Sequence, residues 1–334
     1  MEWRVKYIFN FSEEITWHNG YVQFGFHDYE GNSYILRHEN NWFGQLTKND
    51  KFLWTAGSVN PKLSDIHIPF DLKKPMYVSK SPIDQGLVVS SGGNNRIFRL
   101  FPDEQKVELF IDMAKHDVKD IGNCVFDKQG NIWINEITGC RIWQFDSNGQ
   151  KRSLLGNGKP GFQSEKVEFT NVQFNWVYDI RMGPDNNLYV LDSKNYAVRM
   201  INIEEQAVYT IVGTGQPGYS GDGGTAKKAT LGSTANEQFD GPWAISLDET
   251  GNLFIGDTQN HVVRMVVKKK KKRIISTIAG NPNFIPSHRN SVHETDLFKL
   301  NLPRICSMDY YNNELFIPEW DGDLIVLEKI EEKK

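Results

Sequence analysis

The stretch from Phe239 to Val267 constrains the fold more than any other part of the chain. A Gly241-Pro242 entry leads into an apolar run, Trp243 to Leu247. A polar turn, Asp248 to Asn252, precedes a second run, Leu253 to Ile255, which ends on Asp257. A Thr-Gln-Asn loop then leads to a third run, Val262 to Val267. Short apolar runs punctuated this way are antiparallel strands joined by turns. Phe174 to Ile201 repeats the pattern. Aligned on the second strand, Leu253-Phe-Ile-Gly-Asp257 matches Leu188-Tyr-Val-Leu-Asp192, Ile132-Trp-Ile-Asn-Glu136 and Leu315-Phe-Ile-Pro-Glu319. Weaker copies are Ser33-Tyr-Ile-Leu-Arg37 and Leu87-Val-Val-Ser-Ser91, six in all. The shortest spacing, from Ser91 to Glu136, is close to the ~40–45 residues of a four-stranded propeller blade, so the longer spacings imply loop insertions.

A second echo follows the fourth strand of each unit. Gly156-Asn-Gly158-Lys-Pro-Gly161 resembles Gly213-Thr-Gly215-Gln-Pro-Gly218, and Ala279-Gly-Asn-Pro and Ala56-Gly-Ser-Val-Asn-Pro61 are shortened forms. Both long copies fit G-x-G-x-x-G, but a dinucleotide fingerprint needs a helix opening on the glycines. Pro160 and Pro217 and the loops after them do not supply one, so these segments read as blade-to-blade turns. The last unit, with strands near 304–309, 314–317 and 323–327, stops one strand short. The N-terminus has one strand too many, Trp3 to Phe9. Pairing the two closes the ring and removes an open sheet edge. The expectation is an all-β, six-bladed β-propeller of four-stranded blades in one domain, 1–334. Its blades fall near 11–57, 70–113, 117–158, 174–214, 240–280 and 302–330, the last completed by strand 2–10.

Hydrophobics at 39% and charges at 24% describe a globular chain, and a net charge of −4 gives no global attraction to nucleic acid or anionic membrane. No apolar run approaches the ~20 residues of a membrane helix, and the N-terminus lacks a secretory h-region. Cys124, Cys140 and Cys306 form no close pair, which points to buried thiols in a reducing compartment. The expected location is cytoplasmic.

These residues resemble the NHL repeat family of six-bladed β-propellers. The signature is a Pro-initiated first strand, then Asp-x-x-Gly-Asn-Leu-aromatic-aliphatic-x-Asp, then Asn-x-aliphatic-Arg; it is clearest at Pro242–Met265 and Asn187–Met200. The insert Gly218 to Ala226 is similar to one between bacterial NHL blades. The resemblance implies the fold and leaves the chemistry open, because this fold carries binding modules, scaffolds and enzymes alike.

In a propeller the first strand of each blade lines the channel, and the long loops 156–173, 213–240 and 279–302 share one face with the strand entries. Their aromatics, Phe162, Phe169, Tyr219, Phe239 and Phe284, suggest loops packed onto the body. Counting back from each turn, the first-strand entries are Gln23, Tyr77, Gly122, Tyr178, Trp243 and Arg304. One step further in lie Phe24, Val78, Asn123, Asp179, Ala244 and Ile305. The set Arg304, Trp243, Tyr178, Asp179, Asn123, Gln23 and Tyr77 combines a cation, an anion, amides and rings. It suits a small polar or carboxylate-bearing ligand, or a peptide, at the channel mouth on the long-loop face. The competing reading is that Arg304 and Asp179 pair and the rings plug the channel. Glu136, Asp192, Asp257 and Glu319 end second strands, and the repeat implies structural bonds to neighbouring loops rather than an acidic ring.

Whether the chain is an enzyme stays open at this level. Gluconolactonase and regucalcin-like propellers hold a divalent cation with converging oxygen ligands, and Asn123 and Asp179 are the two candidates here, with no third and with Arg304 opposed. A lactone hydrolase or lyase of that type is the alternative, a protein-interaction scaffold the second. Otherwise no cofactor or metal is expected. Peptide-amidating lyase propellers use His-bound zinc, but none of the eight His falls at a strand entry; His27 lies at a strand end and His261 in a loop. No Ser-His-Asp arrangement or G-x-S-x-G elbow is present. The run Lys268 to Arg273 reads as a solvated hairpin turn, and without interleaved aromatics it is not a single-strand nucleic-acid site. The expected partners are a small molecule or peptide, with a protein partner open and neither nucleic acid nor membrane.

Overall fold

The computed structural model describes residues 2–10, 24–28, 30–47, 51–233, 240–270, 272–283, 290–291, 293–319 and 323–330. It is a six-bladed β-propeller. Blade 1 runs Phe24–His27, Ser33–Arg37, Trp42–Leu46 and Phe52–Gly57; blade 2 runs Pro75–Lys80, Leu87–Ser91, Arg96–Phe101 and Lys106–Asp112. Blade 3 runs Ile121–Phe126, Ile132–Glu136, Arg141–Phe145 and Lys151–Leu155; blade 4 runs Val177–Met182, Leu188–Asp192, Ala197–Asn202 and Ala207–Val212. Blade 5 runs Ala244–Leu247, Leu253–Asp257, Val262–Lys269 and Lys272–Gly280. Blade 6 runs Asp309–Tyr311, Glu314–Pro318 and Asp323–Ile330, with Glu2–Asn10 as its outer strand.

Ring closure by the N-terminal strand is therefore observed. Glu2–Asn10 pairs antiparallel with Asp323–Ile330 from Glu2↔Ile330 to Asn10↔Asp323. Trp3 is buried against the next blade, edge-on to Phe254 at 5.4 Å. Two sheets gain a fifth strand that periodicity did not announce. His67–Pro69 adds parallel to Phe52–Gly57, and Val167–Glu168 adds antiparallel to Ala207–Val212. The innermost strand of blade 6 is shorter than expected. Ile305 makes only an isolated bridge to Glu319, and regular pairing starts at Asp309.

The repeat motif has a local physical cause. Asp127 accepts from Gln129 N, from Asn131 N and Nδ2, and from the Trp133 indole at 3.0 Å. The turn carboxylate thus fixes both the Asn that follows it and the aromatic on the next strand. Asp28 binds Asn32 and Tyr34 in the same way, and Asp185 binds Asn187 and Tyr189. The second strands of blades 2 to 5 are buried at every residue, since each lies inside its sheet and is covered by neighbouring blades. Their near-continuous apolar sequence follows from burial on both faces.

The fourth-strand glycines are fixed by close approach. Gly57, Gly156, Gly213 and Gly280 all have positive φ, and a Cβ on Gly213 would lie 2.2 Å from Tyr196 O. The equivalent contacts are Asn41 O, Cys140 O and His261 O. Only glycine gives both the conformation and the clearance. Among the described residues the helical turns are short 3-10 segments, none of them opening at Gly156 to Gly161 or Gly213 to Gly218. The three cysteines are buried, and none of them is in a disulfide. Lys268–Lys270 and Lys272 form the exposed tip of a hairpin with Lys269 opposite Lys272; Lys271 lies outside the described residues. No helix among the described residues is long and apolar enough to cross a membrane.

Candidate functional site in the axial channel

The inner strands place their side chains on the channel in successive layers. Phe26, Ser79, Val125, Arg181, Ser246 and Asp309 all oppose the fourth-from-last residue of the second-strand segment, so they occupy one layer. Tyr77, Asp179 and Ala244 sit one alternation nearer the long-loop face, with Asn123 beside them at a bulge.

Asp179 is the hub of the inner layer. Asn123 Nδ2 donates to its Oδ1 at 2.5 Å, and Ile245 N donates to its Oδ2 at 3.0 Å. Arg181 Nη2 lies 3.3 Å from the same oxygen. Burial pushes the Asp179 carboxyl up to about 6, against the pull of Arg181 and these donors. Arg181 then crosses the channel. Its Nε donates to Ile245 O at 3.0 Å and its Nη2 to Met308 O at 3.2 Å, while its guanidinium carbon lies 4.5 Å from the Tyr77 ring centroid and 5.1 Å from that of Phe26. One side chain from blade 4 thereby bonds to blades 5 and 6 and stacks on rings of blades 1 and 2. Burial opposes its charge, but Asp179, Tyr77 and Asp309 outweigh burial and its pKa moves up. Nη1 finds no acceptor among the described residues.

A cavity of about 330 Å³ lies over this layer, with Arg181 and Tyr77 in its lining. All six inner strands contribute to its wall. Asp28, Pro82, Asp127 and Lys128 form its rim, so it opens on the face of the first-to-second strand turns. Its carboxylates already have donors. Asp28 and Asp127 are held by their turns, and Asp309 Oδ2 accepts from His27 N at 2.7 Å and lies 2.9 Å from His27 Nδ1. The His27 ring is stacked on Tyr311 at 5.2 Å. Lys80 Nζ donates to Glu30 at 2.5 Å, and Lys128 Nζ to Pro184 O at 3.0 Å. The Ser246 hydroxyl accepts from Tyr310 N, while the Ser79 hydroxyl is buried and has no partner among the described residues.

The sequence-derived set divides accordingly. Asn123, Asp179 and Tyr77 come together on the channel, Tyr77 also lining the cavity. Tyr178 and Trp243 stack on each other at 5.8 Å, at the entries of their strands. The Arg304 side chain is exposed and makes no hydrogen bond or ion pair with the described residues, so the competing reading of an Arg304–Asp179 pair gives way to Arg181. Gln23 lies outside the described residues, as do Phe239 and Phe284. The axial cavity thus opens opposite the long-loop face that the strand entries suggested. Arg181, Ser79, Ser246, His27 and Asp309 were missed. The signal for Arg181 was present: if Asp179 faces the channel, strand alternation puts residue 181 there too.

The second-strand acids serve structure. Glu136 accepts from Lys119 N and Arg141, Asp192 from Asn175 N and Arg199, and Asp257 from Gly232 N and Asn260. Each holds the loop entering its own blade. No group of three or more His, Cys, Asp or Glu among the described residues is placed to hold a metal ion.

With this geometry in hand, comparison with known proteins is informative. A model of the Teneurin NHL domain matches residues 116–299, more than half of the chain. Teneurin-1 of Mus musculus is 31% identical over 166 residues, 47% of this chain and 6% of that protein. Protein SUPPRESSOR OF QUENCHING 1, chloroplastic, of Arabidopsis thaliana is 23% identical over 146 residues, 42% of this chain and 13% of that protein. The chain therefore matches only a small part of the length of these relatives. Virginiamycin B lyase from Staphylococcus aureus superposes with a TM-score of 0.56 at 13% identity, covering 98% of this chain and 100% of the other. An auxiliary nutrient binding protein from Bacteroides ovatus ATCC 8483 gives 0.62 at 13% identity, covering 98% of this chain and 77% of the other. At that identity the two structures establish likeness of fold alone.

Proposed function

This chain belongs to the Teneurin NHL domain family, and on that premise we propose that it is a binding module whose axial cavity takes a small polar ligand. The observation that carries this reading is the convergence of all six inner strands on one cavity of about 330 Å³ with a mixed polar and apolar wall. That volume is at the lower end of small-molecule sites. The fold does not decide the matter, since its neighbours are named as a lyase and as a nutrient-binding protein. A metal-dependent lactone hydrolase or lyase would place its cation on Asn123 and Asp179. Those two side chains bond to each other, and a guanidinium stands 3.3 Å from the carboxylate. Both facts favour binding over cation-assisted chemistry.

Native mass spectrometry of the purified protein, with thermal shift against a metabolite library and against Ca²⁺, Mg²⁺ and Zn²⁺, tests the proposal. The expected result is a bound small molecule, or a library member that raises Tm. Ser79→Leu, which fills the cavity, should abolish the shift. Stabilisation by a divalent cation alone, or a ligand response untouched by Ser79→Leu in a folded variant, would overturn the proposal.

A further inference from the structure

A second cavity lies where the ring closes, at the seam between blade 6 and blade 1. We infer that it is a binding site for a small, uncharged aromatic molecule, separate from the axial cavity. Its volume is about 210 Å³, and its wall includes Tyr34, Ile35 and Leu46 of blade 1 and Phe316, Pro318 and Leu324 of blade 6. The repeat shows where the space comes from. On the first strands of blades 2 to 5, the residue opposite the centre of the second strand is Val78, Cys124, Ile180 and Ile245 in turn, each buried. Blade 6 has the buried Met308 directly before Asp309. Blade 1 has Gly25, opposite Ile35, and Gly25 lines the cavity.

The backbone does not require that glycine. Gly25 lies within a strand, outside the left-handed region. A Cβ there would meet Ile35 Cδ1 at 3.6 Å, Tyr34 O at 3.9 Å and Pro318 Cγ at 4.0 Å, all ordinary contacts. The apolar core is divided at the same seam. Phe26, Tyr34 and Leu36 of blade 1 cluster with blades 2 to 4, whereas Leu315, Ile317 and Leu327 of blade 6 cluster with blade 5 and Trp3. An unfilled apolar space forfeits the contacts of its walls, and an occupant that restores them is held by dispersion and burial. Among the described residues no Asp, Glu, Lys or Arg lines the cavity, so a charged ligand would lose its hydration without a counter-charge. Three polar side chains of the lining are already engaged. The Tyr34 hydroxyl donates to Asp28 at 3.0 Å, His27 Nδ1 lies 2.9 Å from Asp309, and the Thr47 hydroxyl accepts from Lys51 N. The rings of Tyr34 and Phe316 offer faces and edges to another ring. A dry cavity of about 150 Å³ accommodates benzene, so this one suits a substituted ring or two fused rings. A molecule seated there touches the first and last blades together, so its binding stabilises the closed ring.

Indole and indole-5-carboxylate, alike in shape and different in charge, provide the test. Each is titrated into the intact chain by calorimetry, with Tm measured in parallel. Indole should bind, raise Tm and exceed the carboxylate in affinity by at least about tenfold. Gly25→Val fills the space, so it should raise Tm by about 2 °C or more without ligand and abolish the indole response. Where that variant does not fold, Gly25→Ala decides, and it should weaken indole about threefold or more. Failure of indole to bind, equal affinity for the carboxylate, or an indole response untouched by the deciding Gly25 variant would overturn the inference. So would an indole response that Ser79→Leu abolishes and the Gly25 variant keeps, which would assign indole to the axial cavity instead.

Discussion

Blades 2 and 4 solve the same problem with different chemistry. In each, the last residue of the second strand must hold the chain that enters the blade. Blade 2 uses a hydroxyl: Ser91 Oγ accepts from Lys73 N at 2.8 Å and donates to Lys73 O at 3.0 Å. Blade 4 uses a carboxylate: Asp192 accepts from Asn175 N at 2.7 Å, from Asn195 Nδ2 at 2.9 Å and from Arg199 Nη1 at 3.1 Å. In blade 4 the charged version accompanies a long loop. Arg199 lies 5.5 Å from the Phe162 ring, and Asn195 Nδ2 donates to Gly161 O. Blade 5 repeats this with Arg264 over Tyr219 at 5.1 Å and Asn260 Nδ2 donating to Gly218 O. The recurring Pro-Gly-aromatic of the loops and the Asn-x-aliphatic-Arg of the blades are thus two halves of one contact. The acid that makes the repeat recognisable is needed because a buried arginine must be matched, whereas holding the entering loop needs only an acceptor.

The largest expected effect tests that difference. Asp192→Ala leaves the fully buried Arg199 without its counter-charge, which should cost about 3–5 kcal/mol. Ser91→Ala removes a neutral clamp and should cost about 1 kcal/mol. Urea denaturation midpoints of the two variants measure the contrast. Equal losses would show that the loop contact, rather than the buried charge, dominates.

The same contrast explains what was legible in the sequence. Blades 4 and 5 announce themselves because a charged clamp restricts the residue types at each step. Blade 2 is faint because Ser91 does the work without a charge, and blade 1 because Arg37 occupies the place of the acid. Closure by the first strand was legible because it needs only a count of strands. The site was less so. Counting back from a turn assumes a regular ladder, but register shifts interrupt Pro75–Tyr77, Ile121–Cys124 and Val177–Asp179. Each shift changes which side chain meets the channel. Asn123, Asp179 and Tyr77 survived the displacement; Arg304 did not, and Arg181 was passed over.

A smaller effect separates the charged clamps by pH. Burial raises Asp192 and Asp257 to about 6, as it does Asp179. A carboxyl with a folded value above its unfolded value of about 3.9 binds its proton more tightly when folded. Its stabilising contribution is complete below about pH 4 and is lost as pH rises through about 6. The contribution of each such group should therefore decline across that window, by at most about 1.4 kcal/mol per pH unit, while His38, His67 and His261, lowered by burial, work in the opposite direction. Asp257→Asn removes one such group, so the slope of the variant should differ from that of wild type by up to about 1.4 kcal/mol per pH unit in the stabilising direction, because Arg264 keeps its 2.6 Å contact with Asp222. The Asp222 carboxyl is lowered, so its own window lies below about pH 4 and does not mask the change. Unfolding free energies at half-unit intervals supply the slope. An unchanged slope would mean that Asp257 stays ionised and that its match with Arg264 and Asn260 outweighs its burial.

The smallest expected effect is at Arg304. It stands at the entry position of blade 6 that corresponds to Tyr77 and Tyr178, yet it is exposed while Tyr77 is buried. The cause is local: Ile305 bridges to Glu319 alone, and the ladder resumes only at Asp309. Regular pairing of this strand therefore begins at Asp309, five residues after the entry that the count from the turn gives. An exposed arginine contributes little, so Arg304→Ala should change stability by no more than about 0.5 kcal/mol. It should also leave ligand affinity at the axial cavity unaltered, because that cavity opens on the opposite face. Calorimetric titration of wild type and variant with the same ligand makes the comparison. A tenfold loss on Arg304→Ala would return the binding face to the long loops and leave the Arg181 layer as a tie between blades.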